Sequence, residues 1–266
     1  IPLPGSRAWF ILSLPKARGS GPGRQAREFY LFSITVPGTR DEVDMRTYSN
    51  NAQLQAALQH FRRNGQSVAF VPTMGNLHEG HLKLVRKARS LCDVVVVSIF
   101  VNPLQFGPNE DLDAYPRTMA ADKEKLFSEG VQVLYAPDVA EIYPEGMAIQ
   151  TQVRVPDLSD TLCGSSRPGH FDGVTTVVAK LFNIVQPDVA VFGEKDFQQL
   201  SIVRKMVRDL CMPVRIVGVA TCRDEDGLAK SSRNGFLSPE QRHIAPVIHQ
   251  TLNSCREAIA CGFDNF

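Results

Sequence analysis

Two hydrophobic rhythms alternate along this chain. From Asn50 to Asn64 the apolar residues Leu54, Leu58 and Phe61 recur at helical spacing and Gly65 ends the run, which predicts an amphipathic helix. Ser67–Pro72 is an apolar run of strand length, followed by a helical pattern over His78–Leu91. Asp93–Val101 contains four consecutive valines, Val94 to Val97. A half-exposed strand would alternate with polar residues, so this run predicts a parallel strand covered on both faces. The alternation continues with a helix over Ala120–Glu129 closed by Gly130, a strand over Val131–Tyr135 and a helix over Val174–Val185. A strand over Asp188–Phe192, a helix over Phe197–Leu210, a strand over Val214–Ala220 and a last helix over Pro239–Ala260 complete the pattern. Strands alternating with helices predict an α/β fold built on a doubly wound parallel sheet. Such sheets bind ligands beyond the carboxyl ends of their strands, so functional residues are expected just after strands.

Four polar clusters sit there. The first is Pro72–His81, after the first strand. Gly75 and Gly80 let backbone approach a ligand, and His78 and His81, three apart at a helix start, share a face. Helix N-terminal N–H groups with two imidazoles suit a polyphosphate, and an imidazole can act as a general acid near neutral pH. Two helix-capping histidines are the plainer alternative. The second cluster, Phe100–Phe106, offers Asn102 and Gln105, neutral amides suited to hydroxyls or a carboxylate, or to ordinary loop bonding. The third, Val191–Gln199, offers Lys195 to phosphate and Asp196 to ribose hydroxyls, with Gln199 one helical turn on; a solvated charged turn would look the same. The fourth, Leu228–Asn234, sets two hydroxyls and a guanidinium side by side as a phosphate clamp, or as a capped Ser-rich loop. Ser166–Val174 adds Arg167 and His170 before a helix. Together the clusters indicate a nucleotide site, with ATP phosphates among His78, His81, Lys195 and Ser231–Arg233. The histidine spacing is wrong for a zinc protease, and neither a P-loop nor a G-x-G-x-x-G turn is present.

Composition changes this picture at one end only. The 266 residues are 43% hydrophobic and 21% charged, as in ordinary globular proteins, and no apolar run approaches bilayer length. A net charge of +1 points to neither nucleic acid nor membrane. Residues 1–40, however, carry six basic residues and one acidic, a net of +5, which leaves −4 for the remainder. Residues 1–44 show Gly/Pro clusters and no period, superficially like a transit peptide, and are expected to be a disordered upstream extension. The six cysteines form no C-x-x-C or metal spacing and are expected to be reduced, in a cytoplasmic protein.

Pro72–His81, Phe100–Phe106, Ser166–Val174, Phe192–Gln199 and Ser231–Asn234 resemble the motifs of the pantothenate synthetase (pantoate–β-alanine ligase) family, over Met45 to about Pro246. More broadly, the H-x-x-H and the Ser-rich loop resemble the nucleotidylyltransferase and class I aminoacyl-tRNA synthetase superfamily. The resemblance implies a Rossmann-like ATP- and pantoate-binding domain over 45–220 and the start of a smaller C-terminal lid over 221–266, most of it lying beyond Phe266. It implies a ligase that makes pantoyl adenylate from pantoate and ATP, then pantothenate from the adenylate and β-alanine. Carried over, Met74, Gly75, Asn76, Leu77, His78, Glu79, Gly80 and His81 contact ATP, as do Gly193, Glu194, Lys195, Asp196, Lys230, Ser231, Ser232 and Arg233, and Cys222 through its backbone. His81 is the implied proton donor, and His78, Lys195 and Arg233 share the catalytic role. Gln105 and Gln199 hold pantoate, with Gln105 also near β-alanine. Mg²⁺ arrives on the ATP phosphates with no protein ligand, and a homodimer is implied. Lys230 departs from the family's usual apolar residue and either adds a phosphate contact or disturbs adenine packing. A nucleotidyltransferase of the same fold and an inactive ATP-binding relative are the competing readings.

Overall fold

A computed structural model describes residues 9–12, 30–33, 45–108 and 110–263. The chain divides into two compact units, 1–43 and 44–266. In the first, strands Trp9–Leu12 (β1) and Tyr30–Ser33 (β2) pair antiparallel, with Trp9 opposite Ser33. The rest of that stretch, and with it most of the expected disorder, lies outside the described residues.

The second unit is built on six parallel strands: Arg46–Tyr48 (β3), Val68–Thr73 (β4), Val94–Ile99 (β5), Val133–Tyr135 (β6), Val189–Gly193 (β7) and Arg215–Val219 (β8). Their order is β3-β6-β5-β4-β7-β8. From β4 the chain winds outward through β5 and β6, then crosses to β7 and β8 on the other side. The crevice is therefore expected at the β4/β7 junction, where the winding direction reverses.

Both faces of the sheet are buried, as the valine run predicts. Val68 and Phe70 of β4 and Val94 and Val96 of β5 enter one apolar layer. Helices Asn51–Arg63 (α1), His170–Val185 (α6) and Phe197–Asp209 (α7) cover it with residues such as Leu54, Leu58, Val178 and Ile202. Ala69, Val71, Val95 and Val97 point the other way, into a second layer. Glu79–Arg89 (α2) and Met119–Ser128 (α3) close that side through Leu84, Val85 and Leu126. This is the period-2 reversal of side chains along each strand.

The sequence pattern and the structure differ at three places. Strand β3 carries no apolar alternation and forms only because the β6 edge offers it partners, Arg46 opposite Val133. Helix α6 begins at His170 rather than Val174, because Gly169 caps it in the left-handed region (φ +80°). The last predicted helix is two, Pro239–Ile244 (α8) and Val247–Ala260 (α9), broken at Pro246, which has no N–H to continue the ladder. Short helices Val139–Ile142 (α4) and Cys163–Ser166 (α5) lie within connections.

Candidate active site

The carboxyl ends of β4, β5, β7 and β8 open onto one cavity, and all four polar clusters reach it. His78 is the N-cap of α2. Its Nδ1 accepts the Gly80 N–H (3.1 Å), and Nδ1 of His81 accepts the His78 N–H (3.3 Å), a reciprocal capping box. Position 80 has no room for a side chain, since a Cβ there would lie 2.8 Å from the His78 ring. The two rings sit 4.1 Å apart. With each Nδ1 accepting a backbone N–H, the ring proton of each neutral imidazole is on Nε2. Burial, aided by His78, Lys195 and Lys125, pushes the His81 imidazole down to about 3. Burial, then Lys195, also lowers His78. Both rings are therefore neutral at pH 7. The capping and cavity-lining readings hold together: the caps orient two Nε2–H donors.

The preceding turn is pinned from beneath. Asp122 on α3 is fully buried, and its carboxylate accepts the N–H groups of Asn76 (2.9 Å) and Leu77 (2.7 Å) and the Thr118 hydroxyl (3.1 Å). Asn76 is left-handed (φ +48°), a conformation that these bonds stabilise. Its amide donates to the Ser232 carbonyl (3.2 Å), and the Ser232 hydroxyl donates back to the Asn76 carbonyl (3.1 Å). The first and fourth clusters are thereby joined.

Gln105 and Gln199 line the cavity, as do Gly193, Lys195 and Asp196. Lys195 Nζ donates to Asp196 (3.0 Å). Ser231 caps a short turn over Ser232–Phe236 by accepting the Arg233 N–H (3.2 Å). Arg233 makes a two-pronged pair with Asp111 (both 2.8 Å) and lies 5.4 Å over the Tyr115 ring. Arg167 pairs with the neighbouring Glu110 and approaches His170 Nε2 (3.0 Å). Lys230 lines the cavity but pairs with Asp224, which holds its ammonium charged. Met74 and Cys222 also line the wall.

Five expected contact residues lie outside this wall. Leu77 is buried in the α2-side core, and Gly75 packs against Ile99 and Asp122. Asn76 faces Ser232, Glu79 pairs with Arg86, and Glu194 is absent from the lining. The sequence reading in turn misses Tyr115, Asp122 and an apolar wall of Val174, Val177, Val178 and Leu181. Tyr115 lies in a loop with no pattern, and the α6 valines read as core. Among the described residues no cluster of three His, Cys, Asp or Glu side chains could hold a metal ion.

A sequence profile of the pantoate-beta-alanine ligase family matches residues 46–265. The chain belongs to that family. Pantothenate synthetase of Pseudomonas entomophila (strain L48) is 63% identical over 222 residues, covering 84% of this chain and 77% of the relative. The structure of pantothenate synthetase from Thermus thermophilus superposes with a TM-score of 0.77 at 56% identity, covering 82% of this chain and 77% of that one. Pantoate-beta-alanine ligase from Francisella tularensis, solved with beta-gamma ATP and beta-alanine, gives 0.74 at 40% identity, with 79% of each chain covered. The pantoate–β-alanine ligases are ATP-dependent enzymes, and the cavity at the β4/β7 junction has the cations, N–H donors and neutral amides that such a reaction needs.

Proposed function

We propose that this cavity joins pantoate to β-alanine in two steps. In the first, a pantoate carboxylate oxygen attacks the α-phosphorus of ATP. The bond from that phosphorus to the bridging oxygen breaks, and pyrophosphate leaves. In the second, the β-alanine nitrogen attacks the acyl carbon, the carbon–oxygen bond to AMP breaks, and the nitrogen sheds a proton. A carboxylate acylates nothing until its oxygen belongs to a good leaving group. The protein's task is to hold two anions together and to meet charge as it moves onto phosphate oxygens.

The observation that carries this reading is the pairing of unlike chemistries across one cavity. Nε2–H donors of His78 and His81, with Lys195 and Ser231–Arg233, make the phosphate side, while Gln105 and Gln199 make a neutral, hydrogen-bonding side. A phosphorylated acceptor would need a cation on that second side, and Arg167, which lies there beside Gln105, is already paired with Glu110, which disfavours a nucleotidyltransferase. His81 enters as a neutral hydrogen-bond donor; serving as the proton donor that the resemblance implies requires its pKa to rise beside phosphate. The cavity's Asp196 is tied to Lys195, so Mg²⁺ fits as part of the ATP substrate rather than as a protein-held ion. A cytoplasmic homodimer belongs to the same reading. Pantoate-dependent exchange of labelled pyrophosphate into ATP, without β-alanine, is the expected activity; no exchange at saturating pantoate would overturn it.

A further inference from the structure

One buried polar group in the α1/α6-side core has no role in the steps above. Tyr143, just after α4, is 2% exposed and packs among apolar residues, its ring centroid 6.3 Å from that of Phe100. Phenylalanine would fill that space. The hydroxyl would cost stability if unpartnered, and it has one hydrogen-bond partner among the described residues: it donates to Oδ1 of Asn102 at 2.8 Å. Asn102 is 1% exposed and follows β5.

The Asn102 amide is fully engaged. Oδ1 accepts from Tyr143 and, at 3.3 Å, from the Leu104 N–H. Nδ2 donates to the Gly173 carbonyl (3.1 Å) and to Oε1 of Gln105 (3.3 Å). The Gly173 carbonyl is within reach because α6 crosses the turn Pro103–Gln105 in close contact; a Cβ on Gly173 would lie 2.3 Å from the Leu104 carbonyl oxygen. Since Oε1 of Gln105 receives an Asn102 proton, the other end of that amide, Nε2, remains for the cavity, where among the described residues it meets only the weak acceptor Met74 Sδ at 3.0 Å.

We propose that Tyr143 is a positioning residue: acting through Asn102, it fixes the Gln105 amide so that N–H, not C=O, faces the acid substrate. The Gln105 subsite therefore reads an acceptor, a carboxylate or hydroxyl oxygen, and rejects a group that can only donate. Burial raises the phenol's pKa, so the hydroxyl remains a donor across the working pH range.

This inference rests on the ligase reading for the substrate's identity, but not for the amide's orientation. The test is Tyr143→Phe in the full chain, alone and combined with Gln105→Ala. The single variant should raise KM for pantoate roughly tenfold while KM for ATP changes less than about twofold. In the Gln105→Ala background the same change should do nothing further, as for two members of one relay. Equal effects on both substrates, an unchanged pantoate KM, or the same loss in both backgrounds would overturn the proposal. Side-chain amide resonances of Gln105 and Asn102 give an arm independent of activity. They should shift in Tyr143→Phe, and if they do not, the relay is refuted whatever the enzyme does. Shifted resonances in a protein without pantoate-dependent exchange would keep the relay and reject only the ligase reading.

Discussion

The loops after β4 and after β8, the two proposed to meet phosphate, are held in different ways. The His78–His81 loop is fixed by backbone: two N–H groups reach the buried Asp122, and two more cap onto the imidazoles. The Ser231–Arg233 loop is held at its working end by an ion pair, Arg233 with Asp111, with side chains 44% and 27% exposed. A buried hydrogen-bonded loop arrives preorganised and loses little on binding. A half-exposed ion pair contributes little to stability and exchanges readily for a stronger anion. The rigid half is thus suited to orient neutral donors. The exchangeable half is suited to release Arg233 from Asp111 to a phosphate and to take it back.

The sharpest break of this contrast is at the rigid half. His81→Ala should lower pyrophosphate exchange roughly 10²–10⁴-fold, with the fold intact by circular dichroism. A rate within a few-fold of the parent would remove His81 from the chemistry. Asp122→Ala should cost about 2–4 kcal/mol in urea unfolding, because it strands two N–H groups beneath the loop, and activity should fall with it. Parent-like stability would mean that the loop holds itself.

A pH series sharpens the same point. The folded chain keeps His81 neutral down to about 3, while an unfolded histidine takes a proton near 6.5. Above 6.5 both states are neutral and His81 adds no pH dependence. As pH falls below 6.5 the unfolded state binds the extra proton, so His81 removes stability at up to about 1.4 kcal/mol per unit until about 3. Urea titrations between pH 7 and 4 should show this slope in the parent and a shallower one in His81→Gln; identical slopes would contradict it.

At the exchangeable half the effects should be small. Asp111→Asn should change stability by less than about 1 kcal/mol and tighten ATP binding by a few-fold as Arg233 loses its resident anion. Weaker ATP binding, read by calorimetry, would show that Asp111 positions Arg233 rather than competing for it. Lys230→Leu, which restores the apolar residue implied by resemblance, should shift KM for ATP by about threefold or less, because Asp224 already holds the ammonium. A larger loss would make Lys230 a phosphate contact.

The chain's pattern determined more than its architecture. Four Val in a row demanded a strand covered on both faces, the alternation of periods demanded a parallel sheet, and polar residues after strands had to meet at its carboxyl edge. His78, His81, Gln105, Lys195 and Gln199 were legible for that reason, each within eight residues of a strand's end, whereas Arg233 lies fourteen residues beyond β8 and was legible from its Ser-Ser-Arg cluster. Tertiary structure alone decided what no local pattern encodes. Strand β3 exists because an edge was free to pair with it. Val174, Val177, Val178 and Leu181 line a cavity wall, although a buried apolar helix face reads the same whether it meets core or ligand. Asp122 lies 45 residues from the Leu77 N–H that it holds, and Tyr143 lies 41 residues from Asn102. Period and spacing report neighbours along the chain, whereas the burial that keeps His81 neutral and the Tyr143 hydroxyl that meets Asn102 come from residues that only folding brings together.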